Sequence, residues 1–459
     1  MIAVKRPILL LLTLVCLGTS AAAAKGIDWI EGDYDKAMKL AKRQKKPLFI
    51  DLWAPWCHTC ISMKRHIFTD EALKPYAKKY VWLALDTDKP ESAAALDEYP
   101  VEAWPTLYVI SPVDGSIQGR HVGAATPAQV VELLEQGLEG HKAVRKGKAS
   151  FAEKPYLMHW READTLMAEG KAEEAAMRYK KAYDMSPRRW SRRQALAVSW
   201  ARALRDGGRY EGCLKQGGSH LVAATSSVSS LGADFVQIIE GCIDRLDPAV
   251  AQREDKAIRR FRKQAARVLE QLIKDGEATL TVDDRADAMR IRREVLVKLG
   301  LETQARKQAE AQLELLDKVA YGADDPAVQE MYSWPRSEVY MFLGRGADLV
   351  DHLRFIAEKR PESYDAQFRY AWMLHAIERD GEAQRVAKKA VGMAYGPRKA
   401  RLFTLLADIH HSLKDYSEER RARMGAVAVL AGLPKGQKDP EALAAAEAAL
   451  KAVPEVSTP

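Results

Sequence analysis

Two patterns of apolar spacing divide this chain. Up to about residue 145, short apolar runs alternate with amphipathic stretches. Beyond about residue 150, almost every apolar residue falls at helical spacing. In the first part, Asp33 to Lys45 reads as an amphipathic helix and Pro47 to Trp53 as a buried strand. Cys60 to Phe68 continues a helix, and a second helical stretch follows through Tyr80. Val81 to Asp86 is another apolar strand, Glu91 to Tyr99 is helical, and Thr106 to Ile110 is a strand. The turn Pro112-Val113-Asp114-Gly115 joins it to a partner, Ser116 to Val122. Thr126-Pro127 starts a helix running to about Leu138, with a capping residue followed by proline in the first turn. This order predicts an α/β domain with a central mixed sheet and flanking helices over residues 25–145.

In the second part strand signals nearly vanish, and Ala, Leu, Glu, Arg and Lys dominate. Leu166-Met167-Ala168-Glu169-Gly170 leads to Ala175, Tyr179, Ala182 and Pro187. Small residues at the turn, alanines where helices cross and a closing proline resemble tetratricopeptide repeats. Fainter copies surround Gly208, Gly300, Gly344, Gly381 and Lys414-Asp415-Tyr416, and Pro361 closes one of them. Each hairpin has an apolar face that it cannot bury alone, so an all-α, TPR-like helical solenoid is expected over residues 150–435. A non-repetitive helical domain is the alternative. Residues 436–459 read as a last helix and a frayed tail.

The N-terminus changes the chemical setting. Lys5 and Arg6 precede an apolar stretch from Pro7 to Gly18, and small residues follow to Ala22-Ala23-Ala24. This is the layout of a cleavable secretory signal over residues 1–24. Its apolar core is short beside the ~20 residues that a spanning helix needs. The mature chain is therefore expected to be periplasmic or secreted, where disulfides persist. Of the five cysteines, Cys16 would leave with the signal, and Cys57, Cys60, Cys213 and Cys242 would remain. The formal charge of +8 is modest and spread over helical faces rich in both signs, the pattern of solvated surfaces. No nucleic-acid partner is expected.

The chemistry concentrates in Phe49-Ile50-Asp51-Leu52-Trp53-Ala54-Pro55-Trp56-Cys57-His58-Thr59-Cys60. An apolar strand carrying one acid runs into Trp-Cys-x-x-Cys and then a helix. A dithiol so placed closes into a disulfide and reopens, because helix N-terminal N–H groups stabilise a thiolate and lower a cysteine pKa to about 3.5–7.5. Cys57 is the candidate nucleophile, and Cys60 the resolving thiol that must lose a proton to attack it. Asp51 is the candidate acceptor for that proton, since burial raises a carboxyl pKa. The plainer reading of Asp51 is a polar strand-end residue.

Residues 26–145 resemble a thioredoxin-fold domain. The resemblance rests on the strand–Trp-Cys-x-x-Cys–helix junction, on Asp51, and on Trp104-Pro105-Thr106 in the place of the family's cis-proline loop. Ile67-Phe68-Thr69-Asp70 is similar to periplasmic reductase domains of the DsbD C-terminal type. The resemblance implies that Pro105 is cis and, with Trp56, His58 and Trp104, borders the substrate. His58-Thr59 replaces the Gly-Pro usual in thioredoxins, and a histidine beside the nucleophile favours its thiolate. Trp53 and Trp56 are expected to be one core and one surface residue.

Zinc binding by the motif lacks a second CxxC, and structural zinc takes four ligands. Neither a metal nor an organic cofactor is expected, and no flavin or nicotinamide fingerprint is present. Electrons must therefore pass to or from a separate redox protein. Cys213 and Cys242 are either a structural disulfide or two small buried residues. These observations frame two functions. One is an exported thiol–disulfide oxidoreductase acting on protein disulfide or dithiol clients, with peptides or proteins docked in the repeat groove. The other is a repeat adaptor whose first domain mainly recognises substrate.

Overall fold

The computed structural model describes residues 26–149 and 154–454. The segment read as a secretory signal, with Cys16, and the last residues of the chain lie outside the described residues. The first domain is a five-stranded mixed sheet in the order β1-β3-β2-β4-β5. Its strands are β1 Trp29–Glu31, β2 Leu48–Trp53, β3 Val81–Asp86, β4 Thr106–Ile110 and β5 Ile117–Val122. β1 and β2 flank β3 in parallel, and β4 runs antiparallel to both β2 and β5. The helices are α1 Tyr34–Gln44, α2 His58–Ser62, α3 Ala93–Glu98 and α4 Pro127–Arg145.

Alternation along the strands builds three layers. Phe49, Trp82, Leu107 and Val109 face Met63, Ile67 and the α4 residues Val130, Leu133 and Leu134. Leu48, Ile50, Leu52, Leu83 and Tyr108 face Ala37 and Ala41 of α1 and Leu96 of α3. Asp51 falls on the Phe49 side, the face covered by the helical run that follows Cys57.

Three local features depart from expectation. β1 has three residues, too few for an alternation to register, and it pairs at the sheet edge. α2 passes into a π-helical turn at Met63–Ile67, and the next helical stretch is a 3₁₀ segment, Glu71–Tyr76, containing Pro75. α4 continues past Leu138 to Arg145. Its polar end is held because His141 meets the Ser111 hydroxyl at 3.0 Å and the Lys45 carbonyl at 3.2 Å.

Seventeen α-helices follow among the described residues. They form antiparallel hairpins whose turns carry a residue of positive φ, at Gly170, Gly208, Gly300, Gly344, Glu378 and Lys414. Gly381, expected at one such turn, lies inside the helix Asp380–Met393 instead. Glu378 takes the left-handed position at φ 63°, so a non-glycine residue closes that hairpin. The series is interrupted by Leu231–Ile243 and Asp255–Asp275, which are joined through the short helix Pro248–Arg253 rather than a tight hairpin.

The helical domain packs onto the sheet domain along a polar seam. The Tyr395 hydroxyl donates to Asp86 at 2.6 Å, and the Gln437 amide donates to the carbonyls of Thr87 and Lys89 at 2.7 and 2.8 Å. Gly396, at φ +55°, lies so close that a Cβ there would sit 1.9 Å from the Asp88 carbonyl oxygen. A methyl group at Gly396 must therefore push the seam apart. Gly396→Ala is expected to destabilise the chain by about 1–3 kcal/mol and to speed alkylation of reduced Cys57. Gly170→Ala, where φ is also positive but nothing lies within 4 Å, should lower stability without changing Cys57 reactivity. Thermal unfolding and iodoacetamide kinetics on both variants check this.

Candidate active site

β2 delivers the chain to the seam. Past Trp53, the Cys57 amide bonds the Ala54 carbonyl at 3.1 Å, which tightens the turn. Cys57 then caps α2, its Sγ accepting the Cys60 amide at 3.0 Å. A sulfur at that position receives the unpaired N–H groups of a helix start, which favour its thiolate when reduced. Cys57 and Cys60 are joined by a disulfide, and only 5% and 1% of their surfaces are exposed.

Asp51 is buried in β2, and neither carboxylate oxygen has a hydrogen-bond partner. Burial pushes its pKa up to about 7, against the opposing pull of Lys64. Lys64 lies over the Trp53 ring at 3.2 Å, and its own pKa is lowered, chiefly by burial. An unpaired carboxyl poised near neutrality can take up and release a proton at working pH.

The Trp104–Pro105 peptide bond is cis. Trp104 donates from its indole to the Thr87 hydroxyl at 2.8 Å and meets Trp56 edge-on at 4.9 Å. Trp56 donates to Asp88 at 2.8 Å, and its carbonyl accepts from Arg369 at 3.0 Å. Trp53 and Trp56 are both half-buried, so the expected division into core and surface does not hold. Trp53 is covered by Lys64, and Trp56 is drawn into the seam, with the Arg398 guanidinium 5.0 Å from its ring.

His58 and Thr59 also face the helical domain. His58 Nδ1 lies 2.7 Å from Asp283 Oδ1, and the Thr59 hydroxyl donates to Asp283 Oδ2 at 3.0 Å. Burial alone would lower the His58 pKa. The Asp283 charge and hydrogen bond, with Asp287, outweigh burial and raise the pKa to about 9. The imidazole side chain keeps 21% of its exposure. A cavity of about 590 Å³ opens between the domains, bordered by Cys57, His58 and Trp104 on one side and Asp287, Arg202 and Trp334 on the other.

The structure brings Cys57, Cys60, Trp56, His58, Trp104 and Pro105 to one end of the sheet, with Asp51 on the strand beneath. Asp283, Asp88, Arg369 and Arg398 were missed from sequence. They lie far from the motif along the chain and carry no local signature. Cys213 and Cys242 are bonded to each other, far from the dithiol in the fold order, and pin neighbouring helices of the repeat domain.

Sheet order, dithiol and cis-proline together define a thioredoxin-like domain joined to TPR-like helical repeats. Residues 28–112 match the family described as thioredoxin-like. Similar curated proteins include the chloroplastic thioredoxins Y1 and Y2 of Arabidopsis thaliana, 27% and 30% identical over 121 and 100 residues. They also include the chloroplastic M-type thioredoxin of Pisum sativum, 31% identical over 90 residues. These alignments cover 26%, 22% and 20% of this chain, and the chain spans 67%, 56% and 49% of the relatives' own lengths. A tetratricopeptide repeat protein of Parabacteroides merdae overlaps 65% of this chain and 98% of its own, at 12% identity and a TM-score of 0.40. The TPR2AB domain of yeast Sti1 overlaps 64% of this chain and 97% of its own, at 15% identity and a TM-score of 0.23. The repeat architecture rests on the helix hairpins, not on these overlaps.

The raised pKa of Asp51 has two consequences. The unfolded carboxyl ionises near pH 4, whereas the folded one keeps its proton to about 7. Stability must therefore fall as pH rises between those values, by about 1.4 kcal/mol per pKa unit. Asp51→Asn should be more stable than the native chain at pH 8, with the difference vanishing below pH ~4. The same variant should slow resolution of a mixed disulfide about 100-fold and abolish its rise through neutral pH. Denaturant titrations and stopped-flow kinetics across pH test both.

Proposed function

We propose that this protein is an exported thiol–disulfide oxidoreductase that acts on cysteine-bearing segments of client proteins. The observation that carries this reading is Cys57, which caps the redox helix and opens onto the interdomain cavity. In the reducing direction, the Cys57 thiolate attacks one sulfur of a client disulfide. That S–S bond breaks, and the other client sulfur leaves as a thiolate and takes a proton. Cys60 passes its proton to Asp51 and attacks the Cys57 sulfur. The Cys57–Cys60 bond forms as the mixed disulfide breaks, and the second client thiol departs. The client gains two electrons and two protons. A separate dithiol protein resets the site. In the oxidising direction every step runs in reverse.

The enclosure of the dithiol supports a restricted client. A cavity of about 590 Å³ admits a few residues of extended chain and no folded surface. Ala103 and Trp104, just before Pro105, border it. Clients would then present an unfolded or terminal cysteine segment, and the repeat domain would hold the rest of the polypeptide. Export rests on the basic and apolar N-terminal segment, with a periplasmic or extracellular location following from it.

A second reading, an adaptor with little redox turnover, draws on the same burial of Cys57. The two readings separate cleanly in the native compartment. Cys60→Ser should accumulate mixed disulfides through Cys57, and mass spectrometry of these adducts would identify clients. Insulin reduction should disappear in Cys57→Ser. Absence of covalent adducts from a chain whose Cys57 still alkylates would favour the adaptor, and insulin reduction surviving Cys57→Ser would end the redox reading.

A further inference from the structure

The motif's two central residues are gripped by a residue of the repeat domain. Asp283 lies in the first turn of the helix Val282–Lys298 and is 1% exposed. Its carboxylate does not serve that helix, because the Thr281 hydroxyl caps the start by accepting the Asp284 amide. Among the described residues, both hydrogen-bonded partners of the carboxylate lie in the dithiol motif, His58 on one oxygen and Thr59 on the other. A buried carboxylate without a partner is strongly destabilising. Beyond the favourable start of its own helix, the hydrogen bonds of this one cross the domain boundary.

We propose that Asp283 is a positioning residue through which the repeat domain sets the redox potential of the Cys57–Cys60 dithiol. The inference rests on the redox reading of that dithiol and adds the source of its tuning. His58 Nδ1 donates to the carboxylate, which orients the ring and retains its second proton as a cation. The cation is next to Cys57 in the chain and lines the same cavity, while its counter-ion belongs to the other domain. Thr59 donates to the other oxygen of the same carboxylate, which holds that carboxylate in place for the ring. A cation beside Cys57 stabilises the thiolate, and with it the reduced form.

The remaining charges around His58 do not cancel this arrangement. On the same helix Asp287 adds negative charge and pairs with Arg290 at 3.0 Å, while burial raises the pKa of Asp284 to about 7. Glu338 approaches from the helix Ser333–Phe342, and Arg369 from Tyr364–Ala376. Arg369 is committed to Asp365 and to the Trp56 carbonyl. The net surroundings keep the imidazole charged above its ordinary range.

The test is the equilibrium of the full chain with reduced and oxidised glutathione at pH 7. A native chain whose Cys57–Cys60 bond does not open and close reversibly would defeat the redox reading itself. Given reversibility, Asp283→Asn should shift the equilibrium constant about tenfold toward the disulfide, which is about 30 mV more reducing. His58→Gln should move it in the same direction, and it serves if Asp283→Asn folds poorly. Asp283→Glu should restore part of the native value. Adding Asp283→Asn to His58→Gln should change little further, because both act through one imidazolium. An unchanged potential in Asp283→Asn, or a full second shift in the double variant, would overturn the proposal.

Discussion

A polar group taken out of water needs a partner, and along the seam of this chain several partners lie in the other domain. Asp283 finds His58 and Thr59, and Arg369 reaches the Trp56 carbonyl. Asp86 and Asp88 on the sheet side accept from Tyr395 and Tyr364. Burial raises the pKa of both acids, to about 6 for Asp88, so each hydroxyl and indole proton directed at them offsets a real desolvation penalty. The result is a seam that neither domain could leave without stranding buried polar groups. The dithiol lies in that seam, which is why its middle residues, its flanking tryptophan and its access route are all set by residues of the repeats.

The arrangement separates two tasks that an isolated sheet domain must combine. Cys57, Cys60 and Asp51 depend on β2 and α2 alone, and their geometry follows from the strand–turn–helix junction. The electrostatic setting and the far wall of the cavity come from helices hundreds of residues away along the chain. The Cys213–Cys242 bond belongs to the second task, stiffening the repeats that form the far wall. A disulfide there constrains the unfolded chain and leaves the exchange chemistry to the other pair.

Much of this was legible in the sequence, and the parts that were not share a cause. Strand β2, the cysteine pair and the helix after it carry strong local signals, because alternation, motif spacing and apolar periodicity all act over a few residues. The left-handed turns at Gly170, Gly208, Gly300 and Gly344 were visible for the same reason, since glycine takes that conformation at little cost. Glu378 was not, because a charged residue gives no sign that it will adopt φ 63°. β1 was too short to show a period. Asp283 lies 225 residues from His58 and reads as an ordinary acid in the first turn of a helix. Only the packing of the two domains shows that it closes on the dithiol.

The central claim is that Cys57 is an activated thiol, held at a helix start beside a charged histidine. The most direct measurement is the rate of iodoacetamide labelling of Cys57 in the reduced native chain across pH 4–10, with the labelled site verified by mass spectrometry. The structure predicts a titration midpoint well below the ordinary cysteine value of about 8.5, within the range of about 3.5–7.5 seen for activated thiols. A midpoint at or above 8.5 would contradict the account, because neither the helix start nor the His58–Asp283 pair would then be acting on the sulfur.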